Sequence, residues 1–325
     1  MNGNGIDDGA SRPLVAVTGA GGFIGRPMVS ALLQAGYRVR AVSRSVPAAA
    51  DAPAAGGALH FARHPGVAPD ADWHGVLDGA DAVVHLAGMA HLPLDTRQMR
   101  RRLREVNVLA THRLAQAAAA ASVRHFVFMS SIKAVADHSH GTALAEHHKP
   151  APEDCYGFAK LAAERRLQRM APAMRVVILR PPLVYGPGVV ANFRALMGLV
   201  GRGLPLPFGS VHNRRSLLYV GNLAAAVLRC LERADVGSGT FHLSDDEAVS
   251  TPELMREIAR AQGRSARLVG VPAGWLSLAA RIVGRRAQAD RLLASLEVDN
   301  RQFCREFDWR PPFTLAQGLQ ATVAG

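Results

Sequence analysis

Short runs of β-branched residues alternate with longer Ala/Leu-rich stretches through the first half of the chain. That texture predicts βαβ units feeding a parallel sheet. Leu14-Val15-Ala16-Val17 reads as a buried first strand, Ile24 to Gly36 as a helix, and Tyr37 to Val42 as a second strand. Val46 to Ala58, rich in Ala, Pro and Gly, reads as a loop. Asp81 to Leu86 predicts another strand, Glu105 to Ala121 a long helix, and His125 to Met129 a strand ending at Ser130-Ser131. Tyr156 to Met170 then predicts a helix and Arg175 to Leu179 a strand. After Arg180 the pattern breaks on Pro181-Pro182 and on Tyr185-Gly186-Pro187-Gly188, which places a domain change near residue 180. Thr240 to Leu243 still reads as a strand of the main sheet, and Thr251-Pro252-Glu253 opens a helix with a cap and a first-turn Pro.

The chain has 325 residues, enough for one large α/β domain and a smaller second one. At 49% hydrophobic residues, wholesale disorder is excluded. Met1 to Ser11, polar and Gly/Asp/Asn-rich, reads as a flexible tail without a signal-peptide layout. No transmembrane segment is expected: the most apolar run, Val271 to Val283, is short and holds Pro272, Gly274 and Arg281. Cys155, Cys230 and Cys304 form neither a metal spacing nor a disulfide framework, which suits a reducing cytoplasm. No metal site is expected. The net charge of +12 points to anionic partners, or equally to a simple preference for Arg, which supplies nearly all the basic residues. Arg97 to Arg104 is densely basic but has no interleaved aromatics, so a solvated helix face is expected there and no nucleic acid.

Directly after the first strand stands Thr18-Gly19-Ala20-Gly21-Gly22-Phe23-Ile24-Gly25, leading into a helix. Glycines allow a tight turn and close backbone approach to a pyrophosphate, and the helix start offers unpaired N–H groups to it. The second strand ends Val42-Ser43-Arg44-Ser45, without the carboxylate that usually holds an NAD ribose. Arg44 and Ser43 there suit a 2′-phosphate, favouring NADP(H), with NAD(H) possible. Tyr156 and Lys160 stand one helical turn apart, on one face. The Lys charge is expected to draw the Tyr phenol down toward working pH, making Tyr156 a proton donor or acceptor. Ser131, at a strand end, supplies a hydroxyl to orient a substrate.

These motifs together resemble the extended short-chain dehydrogenases/reductases, the NAD-dependent epimerase/dehydratase family, over nearly the whole chain. The resemblance implies an α/β fold: a Rossmann-type doubly wound parallel sheet with a smaller, mostly helical C-terminal substrate domain. Residues 12–180 would form the NAD(P)-binding domain and 181–325 the nucleotide-sugar domain, with a strand near 240–244 returning to the sheet. Ser131, Tyr156 and Lys160 are the implied catalytic residues. Gly19, Gly22, Phe23, Ile24, Gly25, Ser43, Arg44, Leu86, Ala87, Gly88 and Asn107, with Tyr156 and Lys160, are the implied cofactor contacts. His85-Leu86-Ala87-Gly88 is similar to the family's strand-end motif beside the cofactor, and Asn107 to the Asn of its fourth helix. Arg215, in Arg214-Arg215-Ser216-Leu217-Leu218-Tyr219-Val220, is similar to the Arg that grips the sugar-nucleotide diphosphate. Asn192, Phe208, His91, Ser131 and Lys133 complete the implied UDP-sugar contacts, and Trp309 reads as a packing residue. Around the Tyr, Cys155 and Phe158 replace commoner residues, and no Asp-plus-aliphatic adenine contact is recognisable between Arg63 and Asp72. A cytoplasmic homodimer is the expectation by analogy.

Among the family's reactions, 4,6-dehydration needs an acid and a base after the catalytic hydroxyl, where Ile132 and Lys133 stand instead. The 4-epimerases often carry Tyr-Phe-Asn where Pro181-Pro182-Leu183 stands. Ser130 to Lys133, Leu204 to Gly209 and Asn213 to Leu217 most resemble 4-reductases of surface polysaccharide pathways. These reduce UDP-4-keto-6-deoxy-N-acetylglucosamine to UDP-N-acetylquinovosamine with NADPH. A UDP-sugar 4-epimerase with tightly held NAD is the alternative within the family, and a non-catalytic NADP(H) sensor or scaffold the alternative outside it.

Overall fold

The computed structural model describes residues 12–45, 57–64, 66–90, 96–282, 290 and 292–325. The expected tail at Met1 to Ser11 and most of the Val46 to Ala58 loop lie outside the described residues. The chain divides into two compact units, which interleave along the sequence. The first comprises Met1–Met129, Ala162–Ile178 and Val227–Gly239, and the second Ser130–Leu161, Leu179–Ala226 and Thr240–Gly325.

In chain order the strands and helices begin with β1 (Leu14–Thr18), α1 (Gly25–Gln34), β2 (Arg38–Ser43), β3 (Leu59–Arg63), α2 (His74–Leu77) and β4 (Ala82–His85). Next come α3 (Arg97–Leu103), a π-helical segment at Arg104–Leu109, α4 (Ala110–Ala120), β5 (His125–Met129), α5 (Cys155–Gln168) and β6 (Arg175–Arg180). These are followed by β7 (Leu183–Tyr185), α6 (Ala191–Gly201), β8 (Leu217–Tyr219), α7 (Val220–Glu232) and β9 (Gly239–His242). The last are α8 (Thr251–Ala261), α9 (Ala273–Ile282), α10 (Arg301–Glu306) and α11 (Leu315–Ala324).

The main sheet has seven strands in the order β3-β2-β1-β4-β5-β6-β9. β1 is paired in parallel with β2 on one side and β4 on the other, with Val15 opposite both Val39 and Ala82. The chain therefore works outward from β1 to β3, crosses back, and resumes at β4. In open α/β sheets the crevice at such a reversal is where ligands bind, at the carboxyl ends of the strands. β1 is buried along its full length, as expected of a strand covered on both faces. One face is covered by α2, α4 and part of α5, through Trp73, Leu77, Leu114, Ala118, Ala163 and Leu167 packed on Val83, Phe126 and Ile178.

The expected helix Glu105 to Ala121 differs from what forms. Its start is π-helical from Arg104 to Leu109 and becomes α-helical only at Ala110. Such wide turns recur at functional sites. Here the turn buries Asn107, whose amide is consumed as described below. Strand β3, whose side chains are half-exposed, has too weak an alternation to stand out in the sequence.

In the second unit β7 and β8 form a small parallel ladder, with Leu183 opposite Leu217. Helix α8 starts with a capping box: the Ser250 side chain accepts from the Glu253 N–H, and the Glu253 carboxylate accepts from the Ser250 N–H. Phe303, Phe307 and Phe241 cluster, and Trp309 meets Phe303 edge-on at 5.3 Å. Cys155, Cys230 and Cys304 are all free thiols. Among the described residues no helix is long and apolar enough to cross a membrane, and no His/Cys/Asp/Glu group is arranged to hold a metal.

Asp245 ties this unit together. It accepts from the Tyr219 N–H at 3.1 Å, the Asn222 amide at 2.7 Å and the Tyr185 hydroxyl at 3.1 Å. Burial still outweighs these donors and pushes its carboxyl up to about 6. A carboxyl raised on folding binds its proton more tightly in the folded than in the unfolded chain. Its contribution to stability is thus full below about pH 4 and lost as pH rises through about 6. Between pH 4 and pH 7, the unfolding free energy of wild type relative to Asp245→Asn is expected to fall by about 2 kcal/mol, most of the linkage value of a two-unit shift. Urea unfolding at the two pH values measures it, and a pH-independent difference would remove Asp245 as the titrating group.

Candidate active site

The phosphate loop occupies the turn between β1 and α1. Gly19 has φ +73°, a conformation most side chains avoid. A Cβ there would lie 2.9 Å from the Ala87 nitrogen, and one on Gly25 would lie 2.1 Å from the Gly19 carbonyl oxygen. Gly22 donates its N–H to that same carbonyl at 2.9 Å. Phe23 and Ile24 are half-buried, and α1 begins at Gly25 with no side-chain cap on its N-terminus. The Arg26 N–H already donates to the Gly22 carbonyl at 3.1 Å and Pro27 has no N–H, which leaves the Gly25 N–H of the first turn for a ligand. The glycine cradle, the uncapped helix start and the strand reversal fit a dinucleotide pyrophosphate.

Ser43 stands beside this loop: a Cβ on Gly21 would come within 3.7 Å of its own Cβ. The Ser43 hydroxyl is already donated to the Ser45 carbonyl at 2.5 Å, whereas Arg44 is exposed. The segment after β4 is held from two sides. Leu86 donates its N–H to the Thr18 carbonyl, and Ala87 donates to the Thr18 hydroxyl. Asn107 accepts from the Met89 N–H at 2.8 Å and donates to the Met89 carbonyl at 2.9 Å. Asn107 therefore clamps the backbone immediately after Gly88 with both ends of its amide.

One residue of this site was quoted in the sequence motif without a role. His85, fully buried, shares hydrogen bonds with Thr18 at 2.6 Å and Thr111 at 3.0 Å, tying β1 and β4 to α4. The signal available was a His between apolar strand residues, which burial forces to find polar partners.

Ser131, Tyr156 and Lys160 all belong to the second unit. The Ser131 side chain caps a short 3₁₀ turn, Ile132–Ala134, accepting from the Lys133 N–H at 3.3 Å, and it shares a hydrogen bond with the Tyr156 hydroxyl. Asp154 caps α5 by accepting from the Gly157 N–H at 2.7 Å, as Asp commonly does at a helix start. Gly157 is required by contact, since a Cβ would sit 2.3 Å from the Lys133 carbonyl oxygen. A glycine inside a helix is unfavourable on propensity alone; here it lets α5 approach the turn that carries Ser131.

The expected effect of Lys160 on Tyr156 is not what the structure gives. Lys160 is buried, with its Nζ over the Tyr156 ring, 5.8 Å from the centroid. Desolvation pushes the Tyr156 phenol up to about 12. The Ser131 hydrogen bond offsets part of that, and Asp154 adds to it. Tyr156 holds its proton throughout the neutral range.

Lys133 is not simply directed to a ligand. It forms ion pairs with Asp154 and, at 3.2 Å, with Asp137. Burial raises the Asp137 carboxyl against the pull of Lys133. Arg215 is half-buried and donates to the Ala294 carbonyl at 2.9 Å. Its neighbour Arg214 is exposed and donates to the Glu297 carboxylate at 3.2 Å. Asn192 is exposed at the start of α6, and Phe193 beside it is fully buried, stacked on Tyr185 at 5.3 Å. Phe208 is half-buried in a segment pinned by the Gly209 N–H donating to the Val269 carbonyl. His91 lies outside the described residues.

Over 315 residues the chain is 36% identical to a UDP-glucose 4-epimerase of Vibrio cholerae, covering 95% of this chain and 94% of that protein. It is 28% identical over 324 residues to a ceramide reductase of Caulobacter vibrioides, covering 95% and 90%. Its fold superimposes on MoeE5, solved in complex with UDP-glucuronic acid and NAD, with a TM-score of 0.75 at 27% identity, over 95% of this chain and 97% of that one. The family model of the NAD dependent epimerase/dehydratase family matches residues 15–243, the span from β1 through the Gly-rich turn and the Tyr156–Lys160 helix to the end of the main sheet. With a glycine cradle at the sheet reversal and a Ser–Tyr–Lys set within the matched span, the chain belongs to the NAD dependent epimerase/dehydratase family, as an enzyme of the extended short-chain dehydrogenase/reductase type.

Proposed function

We propose that this enzyme reduces a UDP-4-keto-6-deoxy-N-acetylhexosamine at C4, with NADPH, for surface polysaccharide synthesis in the cytoplasm. The observation that carries the reductive direction is the Ser131–Tyr156 hydrogen bond around a phenol kept protonated at neutral pH. A proton donor suits a carbonyl that is becoming an alcohol, whereas the opposite direction starts with a base. UDP-sugar recognition is supported by the relatives: one acts on UDP-glucose and MoeE5 holds UDP-glucuronic acid. A homodimer is proposed from the family resemblance alone.

In this reading Gly19, Gly22, Phe23, Ile24 and Gly25 hold the pyrophosphate, and Ser43 and Arg44 the 2′-phosphate. Leu86, Ala87 and Gly88 line the adjoining wall, with Asn107 fixing its backbone. The bound dinucleotide would supply the hydride. Ser131 orients the C4 oxygen, Tyr156 donates the proton to it, and Lys160 positions Tyr156 and the ribose. Arg215 neutralises the diphosphate, while Asn192 and Phe208 flank the nucleotide, and Lys133 holds Asp154 and thereby the Tyr156 helix start.

A UDP-sugar 4-epimerase is the second reading, favoured by the 36% identity to the Vibrio epimerase. Cofactor binding and product analysis separate the two. NADPH is expected to bind about 10- to 100-fold more tightly than NADH, the reach of a charge-assisted hydrogen bond. Arg44→Ala is expected to erase most of that gap without weakening NADH. With a UDP-4-keto-6-deoxy sugar, NADPH oxidation should match product formation by NMR. Preferential NADH binding, NAD retained through purification and interconversion of UDP-hexoses would install the epimerase instead.

A further inference from the structure

Helix α9 presents its apolar residues to solvent. Trp275, Leu278 and Ile282 follow an i, i+3, i+7 spacing and so share one face. Trp275 is 68% exposed and Ile282 79%, values normally found for charged residues. The segment that precedes the helix is also exposed and apolar in part. Val269 is also exposed, and its N–H donates to Leu206 at 2.9 Å while Leu206 donates to Arg267 at 2.8 Å, setting exposed Leu204 in the neighbouring strand-like run.

The rim of this surface has one sign. Arg264, Arg267 and Arg281 are exposed, and the chain has no Asp or Glu between Glu257 and Asp290 or between Glu164 and Glu232. An apolar helix face bearing Trp, flanked in sequence by arginines and by no carboxylate, is the composition of helices that lie in the headgroup region of an anionic bilayer. At ten residues, α9 is about 15 Å long and suited to lying in the plane, since spanning takes roughly twenty residues.

We propose that the α9 face and its arginine rim dock this protein on an anionic lipid surface. Aromatic and aliphatic side chains enter the headgroup layer while Arg267 and Arg281 meet lipid phosphates. This is independent of the reaction proposed above.

The test is flotation of the full chain with phosphatidylcholine vesicles and with mixed phosphatidylcholine/phosphatidylglycerol vesicles. Binding is expected only to the mixed vesicles, weakening with salt. Tryptophan emission should shift to the blue on binding. That signal reports α9, because Trp73 and Trp309 are already buried, at 2% and 5% exposure. Trp275→Ser with Ile282→Ser is expected to lower partitioning at least about tenfold, and Arg267→Gln and Arg281→Gln about fivefold each. All should keep turnover on a soluble substrate; if the Ser pair does not fold, the two Gln variants decide. No binding to mixed vesicles, or equal binding by wild type and variants, would overturn the proposal. So would concentration-dependent self-association that the Ser pair abolishes without any vesicle binding, which assigns the face to a second copy of this chain.

Discussion

Tyr156→Phe is expected to fold, bind dinucleotide normally, and lose at least about two decades of turnover, the usual contribution of a single positioned acid or base. The ring and its packing under Lys160 survive the substitution, so only the proton and the hydrogen bond to Ser131 are lost. The pH profile gives a second reading of the same group. An acid must carry its proton to donate it, so the reductive rate falls as pH rises through the phenol pKa. With that value pushed up to about 12, the rate should be flat across neutrality and decline only in strongly alkaline solution. Stopped-flow hydride transfer measured against pH, in wild type and variant, checks both statements. Near-normal turnover in a folded Tyr156→Phe protein would remove Tyr156 from the chemistry.

The second large effect is expected from a single methyl group. Gly25→Ala places a Cβ 2.1 Å from the Gly19 carbonyl oxygen and 2.7 Å from the Ala20 Cα, both backbone atoms with no rotamer to escape into. The turn has to open, and with it go the Gly22–Gly19 hydrogen bond and the aim of the Gly25 N–H. Dinucleotide affinity should fall at least about 100-fold, equivalent to losing two charge-assisted hydrogen bonds to the pyrophosphate. The β1 strand, buried on both faces, should keep the domain folded. Calorimetric titration with dinucleotide, beside circular dichroism, distinguishes a lost site from a lost fold. Unchanged affinity would mean that the pyrophosphate is held elsewhere.

The parts of this molecule readable from sequence are those whose causes are local. A buried strand, a Gly-rich turn and a helix follow one another within β1–α1, and each has its own periodicity or backbone requirement. Tyr156 and Lys160 share a face because helical geometry alone puts them there. The failures concern causes that arrive from far along the chain. The Tyr156 phenol is raised and not lowered because packing removes it from water, which the Tyr156–Lys160 spacing cannot reveal. Lys133 is held by Asp137 and Asp154, the latter more than twenty residues away, on another element. The domain change expected near residue 180, with a later strand returning to the sheet, stands beside two units that already interleave before it, at Ser130–Leu161. Gly157 has its reason in the Lys133 carbonyl, on a turn more than twenty residues earlier, which no local pattern in the sequence indicates.

The π-helical turn at Arg104–Leu109 has a consequence for how this gene can change length. A π turn holds about one residue more than an α turn, so the segment acts as a one-residue insertion absorbed into an otherwise regular helix. Deleting one residue within it would let the segment revert to α geometry with Arg97–Leu103 and Ala110–Ala120 still in their present register, so Leu103 would keep its buried position. What would be lost is the wide turn that sets Asn107 on both backbone groups of Met89. The same deletion within Ala110–Ala120, which has no wide turn to absorb it, would rotate one part of the helix against the other by about 100°.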